Sequence, residues 1–204
     1  MRNDLWVTYE FAASIAPLLI LVYRQRRKGK KISNKEYYVI VTLAVYIISV
    51  FHFTQAGTLY DLLSHIENIG TPVINIEPFS QGISKVGYML NIVLFIPFGI
   101  LVPRLCRQFD YWFFTIPLGT LFSFFIEMTQ LLNDRITDID DLIMNTIGVV
   151  IGYSAYCIYK YVKRKKGKEI ESFDISPALL ILYIFVLYAG RFVFYDESFP
   201  LMTG

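Results

Sequence analysis

The sequence predicts an all-α membrane protein, a polytopic helical bundle of about six transmembrane helices with both termini outside. Three observations carry that expectation. The 204 residues are 55% hydrophobic and only 18% charged, with a mean hydropathy of +0.48, outside the habit of a soluble domain this size. Six apolar runs are each long enough to cross a hydrocarbon core about 30 Å thick at 1.5 Å per residue. Fifteen of the nineteen Lys and Arg residues fall in alternate loops.

The runs lie at about 5–23, 37–56, 86–103, 111–132, 141–160 and 177–195. The first contains Glu10, and the fifth begins inside an acidic loop. Residues 24–36 hold seven basic side chains, 104–110 two and 160–168 six. The positive-inside rule places those loops in the cytoplasm, and an even number of spans then puts both termini outside. The outer segments are acidic (Asp61, Glu67, Glu77, Asp134, Asp138, Asp140, Asp141, Asp196 and Glu197), which the formal net charge of +2 conceals. Basic clusters beside spans read as topology signals and contacts with anionic lipid, so no nucleic-acid partner is expected.

The first run reads as a retained span and not as a cleaved signal peptide. Its only early basic charge is Arg2, the basic block follows the apolar stretch, and no small-x-small site is placed for cleavage. Cys106 and Cys157 fall on or near the cytoplasmic side, where a disulfide is not expected. In the longest non-spanning piece, 57–85, Leu59, Leu62, Leu63, Ile66 and Ile69 recur at helical spacing and predict a short amphipathic surface helix. Gly70, Pro72 and Pro78 then predict extended chain leading into the third span. The chain divides into a first helix with its basic loop (1–36), a membrane core (37–160) and a basic loop with the last helix (161–204).

Polar residues gather at one level. Glu10, Gln55, Asn91, Glu127, Asn145 and Arg191 each lie within about one and a half turns of the outer end of a span. Ionisable groups at such depth face the bundle interior and pair, which predicts a shared polar pocket open to the outside. The stretch SFFIEMTQLLNDRITDIDDLIMNTIG (123–148) supplies most of it. Glu127 and Gln130 share a face at the end of the fourth span, and Asp138, Asp141, Asn145, Gly148 and Gly152 form one stripe along the fifth. A structural reading stands beside this one: Asp138 or Thr137 caps the fifth helix, Asp140 and Asp141 suit its first-turn dipole, and Arg135 closes an ion pair across the hairpin.

Signals for chemistry are sparse. The histidines are His52 and His65, and a lone histidine in an aromatic-rich helix is more often packed than catalytic. Glu127 with Asp138 or Asp141 could serve as an acid–base pair, and the DIDD group could take a divalent cation through oxygen, but Arg135 argues against a tight metal site. No His/Cys cluster suggests zinc. The residues lean away from an enzyme, with no metal and no cofactor expected.

Asn91, Phe95, Ile96, Pro97, Phe98 and Gly99, followed by Ser123, Glu127, Gln130, Arg135, Asp138, Asp141, Asn145, Gly148 and Gly152, make a pattern that resembles the VanZ-like family. The upstream NIEPF (Asn75 to Phe79) is similar to that family's Asn-Leu-x-Pro-Phe segment, with Ile76 in place of Leu. The resemblance covers about residues 73–155 and marks 37–160 as the VanZ-like core. It implies a small multi-pass protein of the bacterial cytoplasmic membrane, from a family named for a teicoplanin-resistance protein.

The expectation that follows is a non-enzymatic pocket in the outer leaflet. Asn91, Glu127, Gln130, Arg135, Asp138, Asp141 and Asn145 would line it, with Glu127 and Arg135 as the charged contacts. Pro97 and Gly99 would kink the third span and open its mouth. Its partner would be a membrane lipid, a lipid-linked envelope precursor or a lipoglycopeptide antibiotic. The alternatives are an enzyme or carrier acting on a lipid-linked envelope intermediate, or a structural partner of envelope machinery.

Overall fold

The structure is a computed structural model that describes residues 2–28, 32–64, 74–80, 84–133, 137–168, 173 and 175–195. Among the described residues it is all-helical apart from a two-residue parallel bridge and an isolated bridge residue at Cys106. The helices are α1 (Arg2–Arg27), α2 (Asn34–Thr54), α3 (Leu59–Ser64), α4 (Lys85–Leu105), α5 (Trp112–Gln130), α6 (Ile139–Lys165) and α7 (Pro177–Phe194). Six of them, all but α3, are long and apolar enough to cross a membrane. α3 falls where the amphipathic surface helix is expected; the rest of that segment, 65–73, lies outside the described residues.

Large apolar side chains remain exposed along the long helices, among them Ile20, Leu90, Val93, Leu121, Ile158 and Phe185. In water such faces would drive aggregation, whereas in a bilayer they meet lipid. Hydroxyls within the spans bond the carbonyl one turn back: Thr42 to Tyr38, Ser49 to Val45 and Ser154 to Val150. Each polar group is thereby satisfied inside its own helix.

The chain forms two compact units. The first comprises Met1–Pro72, Thr129–Arg135 and Ile181–Gly204; the second comprises Val73–Met128 and Ile136–Leu180. In the first, α2 buries a helical stripe of Ile40, Leu43, Ala44, Ile47, Ile48 and Phe51, with the Phe51 ring edge-on to Tyr188 at 5.5 Å. Gln55, in the left-handed region at φ 54°, ends α2.

The carbonyls around that end are capped by side chains distant in sequence. Gln130 donates to Thr54 O (2.6 Å), Asn133 to Gln55 O (2.8 Å), Arg191 to Ala56 O, and Tyr188 to Gly57 O (3.2 Å). Carbonyls at a helix terminus have no intrahelical donor, so these four bonds let the chain leave the helix among buried residues.

The second unit is built on the contact between α4 and α6. A side chain at Gly148 would strike Ile92 O at 2.4 Å, one at Gly152 would strike Ile96 O at 2.0 Å, and one at Gly99 would strike Val149 O at 2.3 Å. The helices therefore touch backbone to backbone, as small residues permit. α4 is one helix through Pro97 and Pro103, and Gly99 lets it close against α6. Phe95 and Phe98 pack on Phe122 of α5, at centroid distances of 5.9 and 5.3 Å.

Candidate functional site at the start of helix α6

The fold gathers carboxylates at the N-terminal end of α6. Asp138 is the N-cap, its side chain accepting from Asp140 N–H at 3.0 Å, which satisfies one of the helix's orphan donors. Asp140 and Asp141 occupy the first turn, where the helix dipole favours negative charge. Asp140 is only 2% exposed, and its carboxylate accepts from Phe79 N–H (2.9 and 3.1 Å) and Tyr88 O–H (2.5 Å). Asp141 accepts from Asn91 Nδ2 of α4 at 2.6 Å.

The segment before α4 is held to the same place. Ile74–Asn75 (β1) pairs in parallel with Thr137–Asp138 (β2), with Ile74 opposite Thr137 and Asn75 opposite Asp138. Asn75 Nδ2 donates to Asp138 Oδ1 (3.2 Å), while its Oδ1 accepts from Glu77 N–H (3.2 Å) and Ser80 O–H (3.0 Å). Phe79 sits in the left-handed region at φ 61°, a conformation that costs a non-glycine residue on the order of 1 kcal/mol. Its N–H bond to the Asp140 carboxylate offsets that cost.

α5 contributes from the other side. Glu127 is 3% exposed and its Oε2 accepts from Asp138 N–H at 3.3 Å. One turn deeper, Asn145 Nδ2 donates to Ser123 Oγ at 2.9 Å, and Asn145 Oδ1 is buried with no hydrogen bond among the described residues. The site is therefore four carboxylates and a buried amide carbonyl, a surface rich in acceptors. Among the described residues no three His, Cys, Asp or Glu side chains converge as a metal site needs.

A model of the VanZ/LLP1 family matches residues 15–160, most of the chain. The chain belongs to the VanZ/LLP1 family. It is similar to Protein VanZ of Enterococcus faecium, at 25% identity over 149 residues, covering 72% of this chain and 89% of that protein. No solved structure matches it. As a VanZ/LLP1 protein with six membrane-length helices, it is a multi-pass membrane protein.

Of the residues expected to line a VanZ-like pocket, Asn91, Glu127, Asp138, Asp141 and Asn145 all belong to this second unit, joined by the bonds above. Gln130 belongs to the first unit and spends its amide N–H on Thr54 O. Arg135 lies outside the described residues. The outer-level residues Glu10 and Arg191 pair with each other in the first unit, Arg191 Nε to Glu10 Oε1 at 2.7 Å.

Sequence reasoning weighed Asp140 only within the DIDD group and gave Tyr88 no role. Asp140 read as a first-turn acid suited to the helix dipole, and Tyr88 is one of fifteen tyrosines. The usable signal was NIEPF itself. Its Asn75 and Phe79 make the contacts to Asp138 and Asp140, so the segment and the acids of α6 form one structural unit.

Proposed function

We propose that this VanZ/LLP1 protein works in the bacterial cytoplasmic membrane, lowering the access of lipidated glycopeptides of the teicoplanin type by binding or excluding an amphiphile at the start of α6. The observation that carries the reading is the carboxylate cluster assembled from four separated stretches of sequence in a chain whose helices otherwise face lipid. The basic loops at 24–36, 104–110 and 160–168 favour an outer-leaflet position for it.

The cluster divides by task. Asp138 Oδ1 is engaged by Asn75 and Asp140 N–H, and both oxygens of Asp140 by Phe79 N–H and Tyr88, so these two acids hold the site's shape. Asn91, Glu127, Asp141 and Asn145 form the face that meets the ligand. Gln130 belongs to the first unit and fixes the end of α2.

The test is binding in proteoliposomes. A lipidated glycopeptide should partition more strongly into vesicles carrying the protein than into empty ones, and its non-lipidated counterpart should not. Glu127→Gln should weaken the effect about tenfold, the ~1.4 kcal/mol expected of one charge-assisted contact. Equal partitioning with and without protein would defeat the reading. Formation of a new product from a lipid-linked precursor would favour the enzyme instead.

A further inference from the structure

The first unit contains an ionisable cluster that the carboxylate site does not use. Glu10 of α1 is 1% exposed and has both oxygens engaged: Arg191 Nε of α7 donates to Oε1 at 2.7 Å, and His52 Nδ1 of α2 lies 2.6 Å from Oε2. Arg191 also donates to Ala56 O and stacks on Tyr195, its guanidinium carbon 5.1 Å from the ring centroid. Both Glu10 oxygens, and Nε and Nη1 of Arg191, are thus spent inside the unit. His52 Nε2 is not.

A carboxylate held by a guanidinium only accepts, so the proton in the 2.6 Å contact sits on His52 Nδ1. In the neutral ring, which the experiment below holds by working at mildly alkaline pH, Nε2 is then the lone-pair acceptor. The His52 side chain is 35% exposed, and Nε2 makes no hydrogen bond among the described residues. A buried carboxylate orienting an imidazole whose far nitrogen is open is the arrangement by which proteins present an acceptor to a ligand.

The surroundings indicate what reaches it. His52 is in the last turn of α2, at the depth where a span meets the headgroup layer. Phe11 and Phe53 flank the ring at centroid distances of 6.4 and 5.4 Å, and Phe53 is 71% exposed. An acceptor nitrogen bordered by exposed aromatic surface suits an amphiphile carrying a hydrogen-bond donor near its apolar part. We propose that His52 Nε2, oriented by Glu10 and Arg191, is a binding site for a lipid headgroup that donates a hydrogen bond, through an ammonium or a hydroxyl group.

The experiment uses the full chain with His65→Gln, so that His52 is the one histidine left to observe, labelled on its ring nitrogens for NMR in nanodiscs at mildly alkaline pH. Phosphatidylcholine lacks a headgroup donor, phosphatidylethanolamine supplies an ammonium, and phosphatidylglycerol supplies hydroxyls. The expected result is a protonated Nδ1 in all three, with an Nε2 resonance displaced by a donated hydrogen bond only with the ethanolamine or glycerol lipid. Whichever of the two displaces it identifies the donor. Native mass spectrometry should show several-fold preferential retention of that lipid, lost in His52→Gln. An Nε2 unaffected by either donor lipid, equally displaced by phosphatidylcholine, or protonated throughout overturns the proposal. Because the NMR measurement keeps His52 in place, it stands even if His52→Gln fails to accumulate.

Discussion

A carboxylate enclosed at a helix end needs donors around it, and Asp140 has a backbone N–H from Phe79 and a phenol from Tyr88. Asp140→Ala should therefore cost about 3 kcal/mol by leaving the Phe79 N–H without its acceptor, and Tyr88→Phe distinctly less, read from thermal unfolding in detergent. The Glu10–Arg191 pair should behave differently. Arg191→Leu leaves a buried carboxylate and should cost about 3–5 kcal/mol, whereas adding Glu10→Gln to it should restore part of the loss. At this scale the sequence was informative about faces and uninformative about partners. The spacing of Asp138, Asp141 and Asn145 put them on one stripe, and Asp138 as the cap was among the expectations. Gln130 could not be read in the same way, because its partner is a backbone carbonyl 76 residues away, and a carbonyl carries no sequence signature.

Helices α4 and α6 approach closely because their facing positions lack side chains. Gly152→Val would drive a methyl-bearing carbon toward Ile96 O, 2.0 Å from the Cβ position, and should cost about 3 kcal/mol or more. Gly167, at φ 65° with nothing within 4 Å, makes a control: Gly167→Ala should cost only about 1 kcal/mol, from backbone strain alone. Paired melting curves of the two variants check this. The long helices were legible because each is an uninterrupted apolar run, and the structure extends their ends by a few residues. α6 reaches Lys165, and its 27 residues span about 40 Å, carrying Lys163, Arg164 and Lys165 beyond the hydrocarbon. The bridge of Ile74–Asn75 with Thr137–Asp138 was not legible. Two residues are too few to show a strand period, and pairing across some sixty residues leaves no local pattern.

For the whole molecule, the distribution of charge makes a definite statement about orientation. With Cys106 and Cys157 replaced by Ala, Gln108→Cys should react with a membrane-impermeant thiol reagent only after the membrane is opened, and Ser80→Cys should react in intact cells. The reverse pattern would move the carboxylate cluster to the cytoplasmic face and away from extracellular drugs. Family membership was legible from motif residues that the structure shows in contact, since the NIEPF segment, Asn91, Glu127, Asp138, Asp141 and Asn145 assemble around one helix start. What the cluster binds was not legible, because acceptor oxygens suit many donors.

The most direct measurement is antibiotic susceptibility of a sensitive Gram-positive host expressing the wild-type chain or Glu127→Gln, at equal membrane accumulation, challenged with a lipidated and a non-lipidated glycopeptide. The expected result is protection by the wild type against the lipidated drug alone, and loss of that protection in Glu127→Gln. Protection that survives in Glu127→Gln, or no protection from a well-accumulated wild type, would contradict it.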